Sequence, residues 1–222
     1  MMNTNNIGAV VKASFLSFGL LLCSQADAQE VSKIKAGDKL VYETVTYNSR
    51  GREVVVDSTR SLQATVTEAE GSYTVKSDLG TMTYLRAGHV ITFRDIPNFP
   101  SEPVPEAQRV SWLPLNGDFS KPYGGSFVIA NPNCGLGKMT FEATAKPAKY
   151  TLMVAGKSTE LDVQEIQVDG KWMLSGQCGS GKQVEKIVYS PVLDFIMERD
   201  SKSYLPNGFL NRGNGNKLKS IN

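Results

Sequence analysis

Apolar and polar residues alternate along most of this chain, with turn-forming residues at short intervals. Leu62, Ala64 and Val66, for example, are separated by single polar residues. A period of two indicates a β-strand with one buried face, and no segment sustains a helical apolar stripe beyond about two turns. The pattern predicts an all-β fold with little helix, an antiparallel meander that forms a curved sheet, a sandwich or a partial barrel.

Three segments interrupt or punctuate this pattern. Residues 96–105 contain four prolines, which lack the backbone donor that a sheet interior needs, so this loop is expected to join two halves of one β-rich domain. Asp169-Gly170 is a two-residue hairpin signal between apolar runs. Residues 207–222 are rich in Asn, Gly and Lys and are predicted to be a disordered tail.

The amino terminus reads as a secretory signal peptide. The apolar run Phe15–Cys23 is too short to cross a bilayer, and Ala26-Asp27-Ala28 is a small-x-small cleavage pattern. Cleavage between Ala28 and Gln29 divides the chain into a signal peptide at 1–28, a domain at 29–206 and the tail.

Two alternatives to cleavage use the same residues. Lipid attachment at Cys23 would need a small residue before it, and Leu22 stands there; an uncleaved anchor is the other alternative. No later segment has the length of a spanning helix. The mature protein is therefore predicted to be soluble, without a membrane span, and periplasmic or secreted.

Charge and cysteine content narrow the functional classes. The net charge of +2 gives no indication of nucleic-acid binding. Loss of the signal peptide would leave Cys134 and Cys178, which are predicted to form a disulfide in an oxidising compartment, with free thiols or a metal pair as alternatives. A zinc site is disfavoured because His89 is the sole histidine, and no cofactor or metal is predicted.

Patterns that would indicate an enzyme are incomplete. Gly176–Lys182 satisfies the first part of a phosphate-binding loop, but Gln183 replaces the Ser or Thr that holds magnesium, and a strand rather than a helix is predicted to follow. The chain has no Gly-x-Ser-x-Gly motif. His89 precedes an apolar strand and is interpreted as a packing or solvated residue, so no catalytic residue is predicted.

Aromatic residues occur in nearly every predicted strand. Core packing accounts for them, and the alternative is that some line an apolar cavity within a curved sheet. Six are the candidate cavity residues: Tyr42, Tyr84, Phe93, Trp112, Trp172 and Tyr189.

The carboxy-terminal half also resembles an uncharacterised family of exported bacterial β-rich domains. The matching residues are Val154–Leu161, Gly170-Lys171-Trp172 and Val188–Ile196, the last of which contains a Tyr-Ser-Pro-x-Leu turn between two strands. The resemblance implies a β-rich fold and an envelope location, and it implies no catalytic residues.

The leading hypothesis is therefore an exported, non-enzymatic envelope protein that binds an apolar small molecule or another envelope protein. The alternative hypothesis is a structural or secretion-associated envelope protein without a small ligand, and the third hypothesis is a hydrolase.

Overall fold

The structure is a computed structural model. It describes residues 31–69, 72–77, 80–85, 91–94, 113–114, 117–131, 135–174 and 179–222. The predicted signal peptide, its cleavage site at Ala28 and Gln29, and the Pro-rich loop at 96–105 lie outside these ranges.

The described residues form eleven β-strands and contain no helix, which confirms the all-β prediction. The strands are β1 (Lys39–Arg50), β2 (Glu53–Ala69), β3 (Ser72–Ser77), β4 (Gly80–Leu85), β5 (Ile91–Arg94), β6 (Tyr123–Asn131), β7 (Gly135–Val154), β8 (Lys157–Leu174), β9 (Ser180–Ser190), β10 (Phe195–Tyr204) and β11 (Leu210–Ile221).

The strands form one sheet built from two antiparallel meanders. Its order is β5-β4-β3-β2-β1-β11-β10-β9-β8-β7-β6, so strands that follow one another in sequence are neighbours within each meander. The first and last strands, β1 and β11, pair with each other and join the two meanders. The Pro-rich loop lies between β5 and β6 in the sequence, and its predicted role as the connector of two halves stays a prediction.

The predicted disordered tail is wrong, because most of it is β11. Leu210–Ile221 pairs with β10 on one side and β1 on the other. Glycine allows close packing in this strand, because a Cβ atom at Gly213 would lie only 2.9 Å from the Cβ atom of Tyr47. The polar and glycine-rich composition that is typical of disorder here belongs to a central strand.

The end of β11 also pairs with the end of β7, in parallel, at Ser220↔Met153 and Ile221↔Val154. Because β7 through β11 are already consecutive neighbours, this contact closes the second meander partly into a ring. The predicted meander is confirmed, with a partial closure at one end.

A second correction concerns Asp169-Gly170, which is not a turn. Both residues lie in the middle of β8, and Gly170 pairs with Phe141 on one side and Gln183 on the other. The turn that joins β7 and β8 is instead Ala155-Gly156, with φ values of 46° and 79°. Pairing on both sides overrides the local turn preference.

The hairpin of β7 and β8 supplies opposite faces to two apolar clusters. Ala143 on β7 and Val168 on β8 face the second cluster, whereas Leu152 and Leu161 face the first. The first apolar cluster is Ile34, Leu40, Tyr42, Ala64, Val66, Val75, Tyr150, Leu152, Leu161, Val163, Val188, Leu193, Phe195, Met197, Leu218 and Ile221. The second apolar cluster is Leu113, Met139, Phe141, Ala143, Ile166, Val168, Trp172, Ile187 and Tyr189.

Candidate functional site

A buried ion pair lies beside the second apolar cluster. Glu185 on β9 is 1% exposed. The Arg199 guanidinium on β10 donates two hydrogen bonds to it, from Nε to Oε2 and from Nη2 to Oε1, both 2.9 Å. Two parallel bonds between a guanidinium and a carboxylate are the strongest geometry that this pair can adopt.

Two neutral side chains complete this buried polar cluster, which we define as Gln183, Glu185, Arg199 and Ser201. The Gln183 amide donates to Glu185 Oε1 at 2.9 Å and to Ser201 Oγ at 2.5 Å. Ser201 Oγ in turn donates to Glu185 Oε1 at 3.3 Å. The carboxylate thus accepts from three side chains.

Strand alternation explains how these residues meet. Ser201 lies directly opposite Glu185, and Arg199 lies opposite Ile187, one position further along the same face. Ile187 and Tyr189 belong to the second apolar cluster, so β9 places polar and apolar side chains consecutively on one face.

The Glu185 carboxylate and the Ser201 hydroxyl both form hydrogen bonds within the cluster. The carboxylate is paired with the Arg199 guanidinium and accepts two further hydrogen bonds, from Gln183 and Ser201. Ser201 contacts an amide and a carboxylate here rather than a histidine.

Trp172 borders the same face. Its indole N–H donates to Ser203 Oγ at 3.0 Å, so the ring lies across β9. The position beneath the ring is Gly181, where an added Cβ would collide with the ring and with the Tyr204 carbonyl oxygen. Glycine is therefore required at this crossing.

An irregular segment covers part of the second apolar cluster. Leu113 is 4% exposed, and the ring of Phe119 stacks on Tyr189 at a centroid distance of 5.9 Å and an angle of 27°. Tyr123, at the start of β6, also packs against the cluster. Burial raises the pKa of the Tyr123 phenol.

Tyr189 connects this cluster to the Tyr-Ser-Pro-x-Leu turn. Its phenol donates to Asp194 Oδ1 at 2.7 Å, and Asp194 adopts the left-handed conformation with φ 52°. Ser190 Oγ accepts the Leu193 amide at 3.2 Å. Burial first, and then the bond to Asp194, raise the pKa of Tyr189. Residues 191–194 form the turn between β9 and β10.

Charged residues form a ladder on the opposite face of β7–β11. Glu165 contacts Lys146 at 2.9 Å and Lys186 at 3.3 Å. Glu198 contacts Lys186 at 3.3 Å and Lys217 at 3.9 Å. Alternating charge across five strands stabilises their register.

The six candidate cavity residues do not lie in one cluster. Trp172 and Tyr189 belong to the second apolar cluster and are brought together there, whereas Tyr42 belongs to the first cluster. Tyr84 and Phe93 lie in β4 and β5, where only the backbone is described. Trp112 falls outside the described residues.

The other sequence-predicted positions are also outside the description. Cys134, Cys178 and His89 are not among the described residues, so their predicted roles stay predictions. Within the described part of the chain, no group of three or more His, Cys, Asp or Glu side chains could hold a metal ion.

Sequence reasoning missed the buried polar cluster. Gln183 and Glu185 alternate with valine and precede Ile187, which indicated a strand but not a buried carboxylate. A signal was present in that Glu185 shares a strand face with two apolar residues. Its partner Arg199 could not be identified without the register between β9 and β10.

No protein-family model and no curated protein sequence matches the chain. A solved structure described as "a putative lipoprotein from Parabacteroides distasonis ATCC 8503" is similar at 11% identity with a TM-score of 0.39, covering 86% of this chain and 97% of that one. Among the described residues, no helix is long and apolar enough to cross a membrane.

Proposed function

We propose that this is an exported protein of the bacterial envelope that works by binding an apolar molecule at the second apolar cluster, without catalysis. The signal-peptide pattern supports the location. The arrangement around Trp172 and Tyr189 supports the binding site.

One observation carries the proposal. The described cover of the second apolar cluster is an irregular segment around Leu113 and Phe119 rather than a paired strand. A short segment that contributes a few apolar contacts is displaced at a lower free-energy cost than a strand with backbone ladders on both sides. An apolar ligand can replace those contacts with its own.

The buried polar cluster sets the boundary of such a site. Glu185 and Arg199 compensate each other, so they stabilise the edge of the apolar surface without presenting an uncompensated charge to the ligand. This favours a ligand that is apolar where it meets the cluster. It also argues against hydrolysis, because the carboxylate is engaged.

The test uses a fluorescent apolar probe, N-phenyl-1-naphthylamine, with the purified mature protein. We expect saturable probe fluorescence that long-chain fatty acids displace. Ala143→Leu, which adds bulk within the second apolar cluster, should weaken probe binding at least about tenfold, since one or two methylenes decide fit in a packed site.

Ala64→Leu provides the matched control. Ala64 is 4% exposed and Ala143 is 2% exposed, and the two lie in different clusters. Overpacking is expected to destabilise both variants by about 1–3 kcal/mol, but only Ala143→Leu should affect the probe. Equal effects, or no saturable binding by the unmodified protein, would contradict the proposed site.

Export is tested separately by intact mass. The protein recovered from the envelope fraction should begin at Gln29. A mass that retains residues 1–28, or one that carries a lipid on Cys23, would show that the predicted cleavage is wrong.

A further inference from the structure

Several hairpin ends lie together at one end of the sheet and expose apolar side chains. Leu205 and Phe209 form the turn between β10 and β11, closed by a 2.9 Å bond from the Leu205 amide to the Phe209 carbonyl, and each is 36% exposed. Met173, near the end of β8, is 64% exposed. Leu205, Phe209 and Met173 are three of the six exposed large apolar side chains among the described residues, and they lie at the ends of β8 and β10, on either side of β9.

Cations surround these apolar tips. Lys171 on β8 lies directly opposite Lys182 on β9, which in turn lies opposite Tyr204 beside the Leu205 turn. Lys138 on β7 lies opposite Met173. Arg212 follows the turn on β11, and all four cations are exposed.

The neighbouring hairpin adds more positive charge. β1 pairs with β11 up to Tyr47↔Gly213 and continues in the same direction to the turn between β1 and β2. Arg50 and Arg52 are both exposed at that turn, with Glu53 as the accompanying acid. We define the cationic end as Arg50, Arg52, Lys138, Lys171, Met173, Lys182, Leu205, Phe209 and Arg212.

No ion pair joins the lysines of the cationic end to a carboxylate in the part of the chain that the structure describes. Among the described residues, no carboxylate lies within 4.0 Å of Lys138, Lys171 or Lys182. Glu142 and Asp169 lie opposite each other on β7 and β8, and Asp169 is two positions from Lys171 in the direction away from the tips. Like charges directly opposite each other on a sheet are unfavourable, so this end gains from an external anion.

We propose that the cationic end docks on an anionic phospholipid surface. Leu205, Phe209 and Met173 enter the interfacial region, and the lysine and arginine side chains contact the lipid phosphates. Basic side chains around a few apolar anchors are the combination that binds peripheral proteins to anionic membranes. Charge complementarity selects this partner, and the proposal stands independently of the ligand proposed above.

The experiment is co-sedimentation of the mature protein with sucrose-loaded vesicles at low salt. We expect binding to phosphatidylcholine vesicles that contain about one-third phosphatidylglycerol, weak binding to phosphatidylcholine alone, and loss of binding at high salt. Lys171→Glu with Lys182→Glu should reduce the partition coefficient by at least about tenfold, since each cation near the surface contributes severalfold. Leu205→Ser with Phe209→Ser should reduce it while leaving the salt dependence in place.

Lys39→Glu with Lys157→Glu is the charge-matched control. Both lysines are exposed at the opposite end of the sheet, near the Ala155-Gly156 turn and the last residue of β11. This variant should bind as the unmodified protein does. Equal losses in the two charge variants would show a non-specific charge effect, and absence of binding to anionic vesicles at low salt would overturn the proposal in favour of an acidic protein partner.

Discussion

Replacing Arg199 with Met tests whether the buried polar cluster is held together by its charge pair. The substitution keeps the length of the side chain and removes the guanidinium that donates two bonds to Glu185. Glu185 would then be a carboxylate at 1% exposure without its cation. Breaking a buried ion pair from one side leaves a desolvated charge, which is the source of the expected loss.

The magnitude follows from the burial of the two partners. Removing one member of a buried pair costs about 3–5 kcal/mol. The Arg199 side chain is 25% exposed, and Gln183 and Ser201 still donate to the carboxylate, so we expect a value near the lower limit, about 3 kcal/mol. With a urea m-value of about 2 kcal/mol/M, the midpoint should fall by about 1.5 M.

The assay is equilibrium urea unfolding followed by circular dichroism. Glu185→Leu combined with Arg199→Met removes both charges and should recover most of the loss, to within about 1 kcal/mol of the unmodified protein. Lys219→Met is the control, because the side chains of Lys219 and its partner Glu43 are 46% and 41% exposed, and such a pair should contribute under about 1 kcal/mol. A double variant no more stable than Arg199→Met would refute this reasoning.

Three further predictions concern packing, pH and the cysteines. Gly181→Ala should destabilise the protein by about 2–4 kcal/mol in urea unfolding because the new methyl collides with backbone and the Trp172 ring, whereas Gly215→Ala, whose nearest atom would lie at 3.6 Å, should cost under about 1 kcal/mol. The hydrogen bond from Lys146, followed by the contact with Lys186, holds the pKa of Glu165 below its usual value. The ionised Glu165 therefore stabilises the fold above the unfolded pKa of about 4.3, and this stabilisation is lost as pH falls through the folded pKa. Glu165→Gln should accordingly reduce the loss of unfolding free energy at acidic pH. Exported protein that is unfolded without reductant should show no thiol at Cys134 or Cys178, and two reactive thiols would rule out their disulfide.

The strands of the sheet could be predicted because alternation directly reflects burial. Ala64 and Val66 are 4% and 1% exposed in β2, as their period-two pattern predicted. Pro191, which fixes φ and lacks a backbone donor, lies in the turn that follows β9. These signals are local, since each depends on residues within a few positions of one another.

Features that depend on pairing between distant strands could not be predicted. The sequence around Gly170 favours a turn, and its place within β8 depends on partners on β7 and β9. Gly213 belongs to a segment whose composition predicts disorder, and its pairing with Tyr47 and Lys202 places it in the sheet.

The buried polar cluster also depends on pairing between two strands, β9 and β10. Glu185 and Arg199 are 14 positions apart, and only a bulge between Ile196 and Glu198 brings Arg199 onto the face that Glu185 occupies. A bulge shifts side chains by one position relative to simple alternation. The sequences of β9 and β10, taken separately, therefore do not indicate that Glu185 and Arg199 form an ion pair.

The central claim, binding of an apolar molecule at the second apolar cluster, is tested most directly by native mass spectrometry of the protein purified from its envelope fraction. We predict a bound species on the unmodified protein that organic solvent removes, that persists in Ala64→Leu and that is lost in Ala143→Leu. A single unliganded mass for the unmodified protein, together with no saturable uptake of the apolar probe, would contradict the account.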